Sequence, residues 1–254
     1  MTKIKILENR IYKFVKKHLK GYEFVYITAD LRGFIKNYSI ENPEQICQAF
    51  VRVLLKLNLT IIVPTYSYTD KGKFNVEDEN SNLGFLTKWI LKQKKIKRSE
   101  HPLFSVAALG RKSNITQNIG KSAFGKESIF DRLIKKKTSL FHFGRPFSFG
   151  NTIIHYVEQS VNVSYRVNKI FKTKVYKKDR YIGKNYSTFA RIGNKKNKKY
   201  ISNTFKIDII IKKNHLLKQI GDEKKLTNIS HLDMFKTFNL MKNQYHKDKK
   251  IFLN

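Results

Sequence analysis

Two short apolar runs with a capped helix between them constrain this chain most. Tyr22–Thr28 (YEFVYIT) is an aromatic and β-branched run of the kind that forms a buried strand. Thr60–Val63 is a second, stopped by Pro64. Between them, Asn42-Pro43-Glu44-Gln45 supplies an N-cap, a proline at the first helical position and a glutamine at the third. The helix it opens carries Ile46, Phe50, Val53, Leu54 and Leu57 at helical spacing. The first strand ends in Ala29-Asp30-Leu31-Arg32-Gly33, which reads as a loop. Strand, loop, helix, strand is the opening of an α/β layer.

The rest of the chain extends that pattern. Residues 4–19 carry Leu7, Ile11, Phe14, Val15 and Leu19 on one helical face. Leu83–Leu91 reads as a helix and Phe104–Leu109 as a strand. Ser128–Lys135 is a helix with Ser128 near its cap, Thr138–Phe143 a strand, and Asn151 caps a helix running through Glu158. From about residue 165, β-branched and aromatic residues alternate with lysine (YRVNKIFKTKVYKKDRYIG), as in antiparallel strands with one solvated face. Leu226–Asn243 has the spacing of a last helix. No internal repeat or long Pro/Gly/Ser linker breaks the chain. The expectation is an α/β fold with a central mixed sheet flanked by helices. It forms one domain over 1–254, with a core at 1–165 and a β-rich C-terminal subdomain at 166–254 that ends in a helix.

Composition narrows the setting. The single cysteine, Cys47, excludes an internal disulfide framework and a cysteine zinc site, which fits a reducing compartment such as the cytoplasm. The N-terminal segment has no apolar core of a secretory signal, and no stretch approaches the roughly 20 apolar residues that span a bilayer. The net charge of +33 attracts phosphates, whether on nucleic acid, lipid, nucleotide sugars or coenzyme A. Only ten of the 52 basic residues are arginine, the side chain suited to bidentate phosphate contacts. Lysine is scattered along the whole chain beside many Ile and Asn, a pattern that codon usage in an AT-rich genome also produces.

No phosphate loop, dinucleotide fingerprint or nucleophile elbow is present. No histidine pair has zinc-helix spacing, so no metal site is expected. Cys47 falls on a predicted helix as a small core residue, which argues against a covalent cysteine intermediate. In Asn151-Thr152-Ile153-Ile154-His155-Tyr156-Val157-Glu158, His155 and Glu158 share one helical face at i and i+3. A carboxylate there orients an imidazole and raises its basicity, as a general base near neutral pH requires. The same spacing also suits a surface ion pair or a satisfied core histidine. His101 sits in a polar loop before a strand, and Pro64–Thr69 is a run of hydroxyls at a strand's C-terminal end, where α/β sheets bind ligands. Glu77 and Glu79 are two of few carboxylates and could hold a cationic amine or form a solvated acidic loop.

Together these segments resemble the aminoglycoside 3-N-acetyltransferase family, over roughly residues 20–166. ITADLRG (27–33) resembles the loop after the family's first strand. IIVPTYS (61–67) resembles its strand-Pro-Thr turn, and RSEHPLFSVAALG (98–110) its Arg-x-x-His-Pro-x-x-Ser-x-Ala-Ala-x-Gly signature. GKESIFDRL (125–133) resembles the Gly-x-x-Ser helix start, and NTIIHYVE (151–158) the Asn-Thr-x-x-His-x-x-Glu segment. Each motif is weak by itself; five in register carry the resemblance.

The resemblance implies a CoA cleft and direct acyl transfer from an acyl-CoA to a sugar amine, with no acyl-enzyme. Carried onto this sequence, His155 is the catalytic base, Glu158 orients it or meets the acceptor, and Thr65 lies near the thioester. Asp30, Leu31, Arg32, Gly33, Thr65, Ser67 and Ser128 form the CoA set, and His101, Glu77, Glu79 and Arg98 the acceptor set. The first loop departs from the family, whose resistance enzymes are richer in serine there. A surface at +33 is a poor attractant for a polycationic drug. That points to a nucleotide-linked deoxyamino sugar for surface-polysaccharide synthesis, with Arg32, Arg98, Arg145 or Arg166 on its pyrophosphate. The alternative within acyl transfer is an aminoglycoside-inactivating enzyme conferring antibiotic resistance. A non-catalytic nucleic-acid-binding protein would explain the charge and leave the five motifs unexplained. The expected partners are therefore an acyl-CoA and an amino sugar, with neither nucleic acid nor membrane.

Overall fold

The computed structural model describes residues 2–78, 80, 81, 83–149, 151–193 and 202–253. α1 (Lys3–His18) precedes β1 (Phe24–Ala29), α2 (Arg32–Tyr38), α3 (Pro43–Lys56) and β2 (Thr60–Pro64). Next come β3 (Lys73–Asn75), α4 (Phe85–Leu91), β4 (Lys97–Arg98), β5 (Val106–Leu109), α5 (Ile129–Ile134), β6 (Thr138–Phe143) and α6 (Ile153–Ser160). The last third holds β7 (Arg166–Phe171), β8 (Lys174–Lys177), β9 (Arg180–Gly183), β10 (Tyr186–Arg191), α7 (Thr204–Lys213), β11 (Lys218–Ile220), β12 (Ile229–Asp233) and α8 (Met234–Lys247). No helix among the described residues is long and apolar enough to cross a membrane.

Seven strands form the central mixed sheet in the order β11-β12-β6-β1-β2-β5-β4. Its middle, β6-β1-β2, is parallel, while β12 and β5 flank it antiparallel. β1 explains why the sheet is covered on both sides. Phe24 and Tyr26 enter one apolar layer and Val25 and Ile27 the other, so Phe24–Ile27 are all buried. α1 and α3 cover the second layer with Leu7, Ile11, Ile46, Phe50 and Leu54. Phe143 at the end of β6 stacks between Phe34 and Phe50, with centroids 4.1 and 4.4 Å away. α5, α6 and α8 close the first layer through Phe130, Val157 and Met241. Asn42 caps α3 as expected, its side chain accepting from Glu44 N at 2.9 Å.

Three sequence expectations change. The stretch 226–243 is not one helix. Ile229–Asp233 joins β6 as a strand, and α8 starts at Met234, with Asp233 Oδ1 accepting from Lys236 N at 2.8 Å. The open edge of β6 supplies a partner that local spacing cannot reveal. The C-terminal part is β-rich as expected and ends in α8, with β7–β10 over 166–191 followed by α7 and by β11 and β12, which join the central sheet. The Ala29–Gly33 segment is a loop only to Leu31, because α2 begins at Arg32. Asn151 does not cap α6: its side-chain amide donates to the Phe147 carbonyl, and Thr152 holds the cap position without a side-chain cap bond.

Candidate active site

α6 buries Ile153, Ile154 and Val157 in the core, which turns His155 and Glu158 toward the start of β7. Glu158 is 1% exposed, whereas the His155 side chain is 32% exposed. His155 Nδ1 lies 2.7 Å from Glu158 Oε2, and Arg166 Nη2 reaches the same oxygen at 2.9 Å. Tyr165 donates its hydroxyl to Oε1 at 2.9 Å. Arg166 is itself tied down by Nη1 donating to the Phe189 carbonyl at 3.0 Å. Burial pushes the Glu158 carboxyl up, but the His155 hydrogen bond, the charges of His155 and Arg166, and the Tyr165 bond outweigh it. The group stays below the usual carboxylate range and is ionised at neutral pH. Burial, then the charge and bond of Glu158, hold the Tyr165 phenol well above its ordinary value, so it remains a donor.

An ionised carboxylate only accepts, so Nδ1 carries the proton toward Glu158 and the lone pair sits on Nε2. Nε2 makes no hydrogen bond among the described residues. The ring packs edge-on against Phe124 at 5.3 Å. A half-exposed imidazole held this way can accept a proton at Nε2 and share the resulting charge with Glu158.

A cleft of about 180 Å³ opens at the C-terminal ends of β1 and β2, lined among others by Thr28, Ala29, Pro64, Tyr66, Tyr68 and Thr152. Strand ends of this kind are the usual ligand position in α/β sheets. Thr152 stands one helical turn before His155, so α6 borders both. An aromatic wall runs from Tyr66 through Phe104 and Phe124 to His155, with centroid spacings of 5.1, 4.9 and 5.3 Å. The buried Oγ1 of Thr28 has no partner among the described residues.

The other residues singled out by sequence fall in several places. Thr65 is fully buried; its Oγ1 donates to Ser105 Oγ at 3.0 Å and accepts from Arg98 Nε at 3.2 Å. Arg98 is buried too, bonding the Thr65 carbonyl at 2.7 Å with its guanidinium over Phe74. Both brace the Pro-Thr turn from beneath. Ser67 donates to the Pro102 carbonyl at 2.7 Å, and the buried Ser128 caps α5 by accepting from Asp131 N at 3.2 Å. His101 is 1% exposed, with Nδ1 accepting from Leu103 N and Phe104 N at 3.2 and 3.1 Å. Its Nε2 donates to the Ser187 carbonyl at 3.0 Å, and burial drops the group to about 4. Both ring nitrogens are occupied, so His101 offers no atom to an acceptor. Glu77 is exposed and accepts from Lys178 N at 3.0 Å, and Glu79 lies outside the described residues.

Asp30 and Arg32 form an exposed ion pair at the start of α2, Nη2 to Oδ2 2.6 Å, beside the buried Leu31. Gly33 packs under the carbonyls of Lys225 and Leu226, where a Cβ would come within 2.2 Å, so only glycine fits. Next to it a groove of about 430 Å³ is lined by Arg32, Lys36, Lys224 and Lys225. Of the arginines proposed for a pyrophosphate, Arg98 and Arg166 are buried in internal bonds, while Arg145 borders the cleft. Sequence reading gave Tyr165 and Arg166 no place beside His155. The only signal is an arginine that opens a strand shortly after the Glu158 helix, and its inward direction needs the turn at 161–164.

The aminoglycoside 3-N-acetyltransferase family profile matches residues 35–218. No curated protein matches the chain in sequence. Among solved structures, aminoglycoside acetyltransferase AAC(3)-IVa superposes with a TM-score of 0.73 at 17% identity, covering 97% of this chain and 91% of that one. AAC-VIa bound to sisomicin gives 0.75 at 12% identity, covering 94% and 97%. AAC-IIIb with CoASH gives 0.73 at 13% identity, covering 94% and 96%. These likenesses show the fold, and the family profile spans most of the sequence. The chain belongs to the aminoglycoside 3-N-acetyltransferase family and is an acyltransferase.

Proposed function

We propose that the protein moves an acyl group from a CoA thioester to an amine of an aminoglycoside-type amino sugar, with His155 as general base. The carrying observation is the 2.7 Å bond from His155 Nδ1 to the buried Glu158, which leaves Nε2 as the proton acceptor. The family profile supports acyl transfer, and the sisomicin in AAC-VIa and the CoASH in AAC-IIIb support this pair of substrates. The basic groove beside Gly33 fits an anionic CoA phosphate, and the neighbouring cleft fits a narrow acyl-carrying arm. Cys47 is buried, its thiol pushed up to about 12, so the acyl group passes directly between substrates.

A sugar amine is mostly protonated at neutral pH. His155 Nε2 takes a proton from it, and Glu158 stabilises the imidazolium through Nδ1. The nitrogen lone pair then attacks the thioester carbonyl, and the tetrahedral adduct expels the CoA thiolate. The imidazolium returns its proton to that thiolate and the new amide nitrogen gives up its remaining extra proton to water, leaving amide, free thiol and one released proton. Thr28 Oγ1, which has no partner among the described residues, borders the cleft and can donate to the developing oxyanion. β12 and α8 complete the sheet and cover α6, so we read residues 1–254 as one catalytic unit, working in the cytoplasm where acyl-CoA is made.

A nucleotide-linked deoxyamino sugar is the second reading. Its support is the +33 charge with Arg145 on the cleft. One assay separates the two: incubation with acetyl-CoA and panels of aminoglycosides and amino-sugar nucleotides, following release of CoA thiol. Release with aminoglycosides is expected. Release only with amino-sugar nucleotides moves the protein to the second reading. No release with either panel and with acetyl- or longer acyl-CoA removes the acyl-transfer assignment of this site.

A further inference from the structure

We propose that Arg166 is a positioning residue that sets both the orientation and the proton affinity of His155 by sharing its carboxylate; this rests on the reading of His155 as the base. Glu158 Oε2 receives two cationic donors, His155 Nδ1 at 2.7 Å and Arg166 Nη2 at 2.9 Å. The same Nη2 stands 3.0 Å from Nδ1. Both of these nitrogens are donors when Nδ1 carries its proton, so the guanidinium faces the imidazole as a like-polarity neighbour. A simple His–Glu pair would stabilise an imidazolium with a whole carboxylate. Here the carboxylate is already engaged by a permanent cation, and protonation of His155 adds a second positive charge to the same oxygen.

The surroundings strengthen the effect. Arg191 is the cross-strand register partner of Arg166, placing two arginines side by side across β7 and β10. Arg166 depresses Arg191, after burial, and Glu158 opposes this. From α6 the group facing His155 is Glu158; from β7, Arg166; from β10, Arg191 at one remove; from the turn before β7, Tyr165 through Glu158; and the segment before α5 contributes only the apolar Phe124. Asp131 on α5 is taken by Tyr156 and Lys135. The local balance is thus two guanidinium charges against one carboxylate, so a proton added to His155 meets two fixed positive charges beside it. The fixed fork of Arg166, Nη1 on the Phe189 carbonyl and Nη2 on Glu158, also anchors α6 to β10 and fixes where the carboxylate points.

The test is a histidine NMR titration, with the His155 signal assigned by its loss in His155→Gln, paired with rates over pH. In Arg166→Met the His155 midpoint and the acidic limb of kcat/KM move to higher pH, because a repelling charge is gone and Glu158 serves His155 alone. kcat at the new plateau falls about 10-fold, a fraction of the 10²–10⁴ a general base supplies. Arg166→Lys keeps the wild-type midpoint and loses several-fold in kcat, since one ammonium cannot make the fork. In the Glu158→Gln background, adding Arg166→Met changes kcat less than threefold. If Arg166→Met does not fold, Arg166→Lys and the double variant decide, since the double variant leaves no buried charge unpaired. An unmoved midpoint in Arg166→Met, or a double variant well below Glu158→Gln, overturns the proposal. A His155→Ala enzyme with full activity would instead remove the base assignment, and the NMR arm would still report on Arg166.

Discussion

His101 and His155 stand at the two ends of one aromatic run, with Phe104 and Phe124 between them at centroid spacings of 6.1, 4.9 and 5.3 Å. Their surroundings are opposite. His101 is buried, with backbone amides on one nitrogen and a backbone carbonyl on the other. His155 is half-buried, with an ionised carboxylate on one nitrogen and none of the described residues bonded to the other. The difference teaches what makes a histidine a reagent. A ring with both nitrogens bonded to the main chain is a strut that pins the 101–104 turn to β10. A ring held from one side by a charge keeps a lone pair for chemistry.

The comparison breaks most readily at His155. His155→Ala is expected to lower kcat by about 10²–10⁴-fold, the contribution of a positioned general base, with CoA binding retained. Full activity would make the two histidines equivalent. His101 gives the converse expectation in acid. Burial depresses it from an ordinary 6.5 to about 4. The unfolded chain therefore binds its proton below about pH 6.5, while the folded chain does so only near pH 4. Its contribution is complete above pH 6.5 and is lost as pH falls toward 4, amounting to about 3 kcal/mol. Urea midpoints at pH 7 and pH 4.5 measure this. His101→Ala should flatten the pH dependence, though His142 and His231, also depressed to about 4, leave a residual slope of the same sign.

How much of this was legible in the sequence depended on whether a residue's environment is set by near neighbours. The strands at 24–29, 60–64 and 138–143 were readable because they are short, rich in β-branched and aromatic residues, and largely buried on both faces. α3 was readable because Asn42-Pro43 fixes its start whatever packs on it. β12 was not, because Ile229–Asp233 is a strand only through its pairing with β6, some ninety residues earlier. At the site, the His155–Glu158 pair lies within one helical turn and could be seen. Arg166 could not, since its approach to Glu158 depends on how the chain turns into β7. Thr65, Arg98 and His101 carry family motifs yet face inward, and no local pattern tells an inward hydroxyl from one facing the cleft. The +33 charge suggested an anionic acceptor, but the buried arginines are spent on internal carbonyls, hydroxyls and one carboxylate.

The strut role of His101 can be sharpened at neutral pH. His101→Ala leaves the Leu103 and Phe104 amides and the Ser187 carbonyl without their ring partner. An orphaned buried group costs about 1–3 kcal/mol, and water entering the vacated space recovers part of the total, so a loss of about 2 kcal/mol is expected. The folded fraction should keep kcat within a few-fold. A kcat loss as large as that of His155→Ala would place His101 in the chemistry.

The smallest expected effect concerns the starts of the two helices beside these histidines. Ser128 caps α5 by accepting from Asp131 N at 3.2 Å, whereas Thr152, at the head of α6, makes no side-chain cap bond and borders the cleft. A side chain spent on a cap has no oxygen left for a ligand, so Ser128→Ala should act on stability alone. The expected loss is about 1 kcal/mol, the usual value of a serine cap, read as a lower urea midpoint at unchanged slope. The KM for acetyl-CoA should not change. Thr152 lines the cleft one turn before His155 and bonds the buried Tyr26 and Tyr66 hydroxyls rather than a helix amide, so Thr152→Ala should raise KM, and any stability loss should come from those two bonds and not from the α6 cap. A shift in KM on Ser128→Ala would mean that α5, too, presents its N-terminus to the donor, extending the site across the aromatic wall.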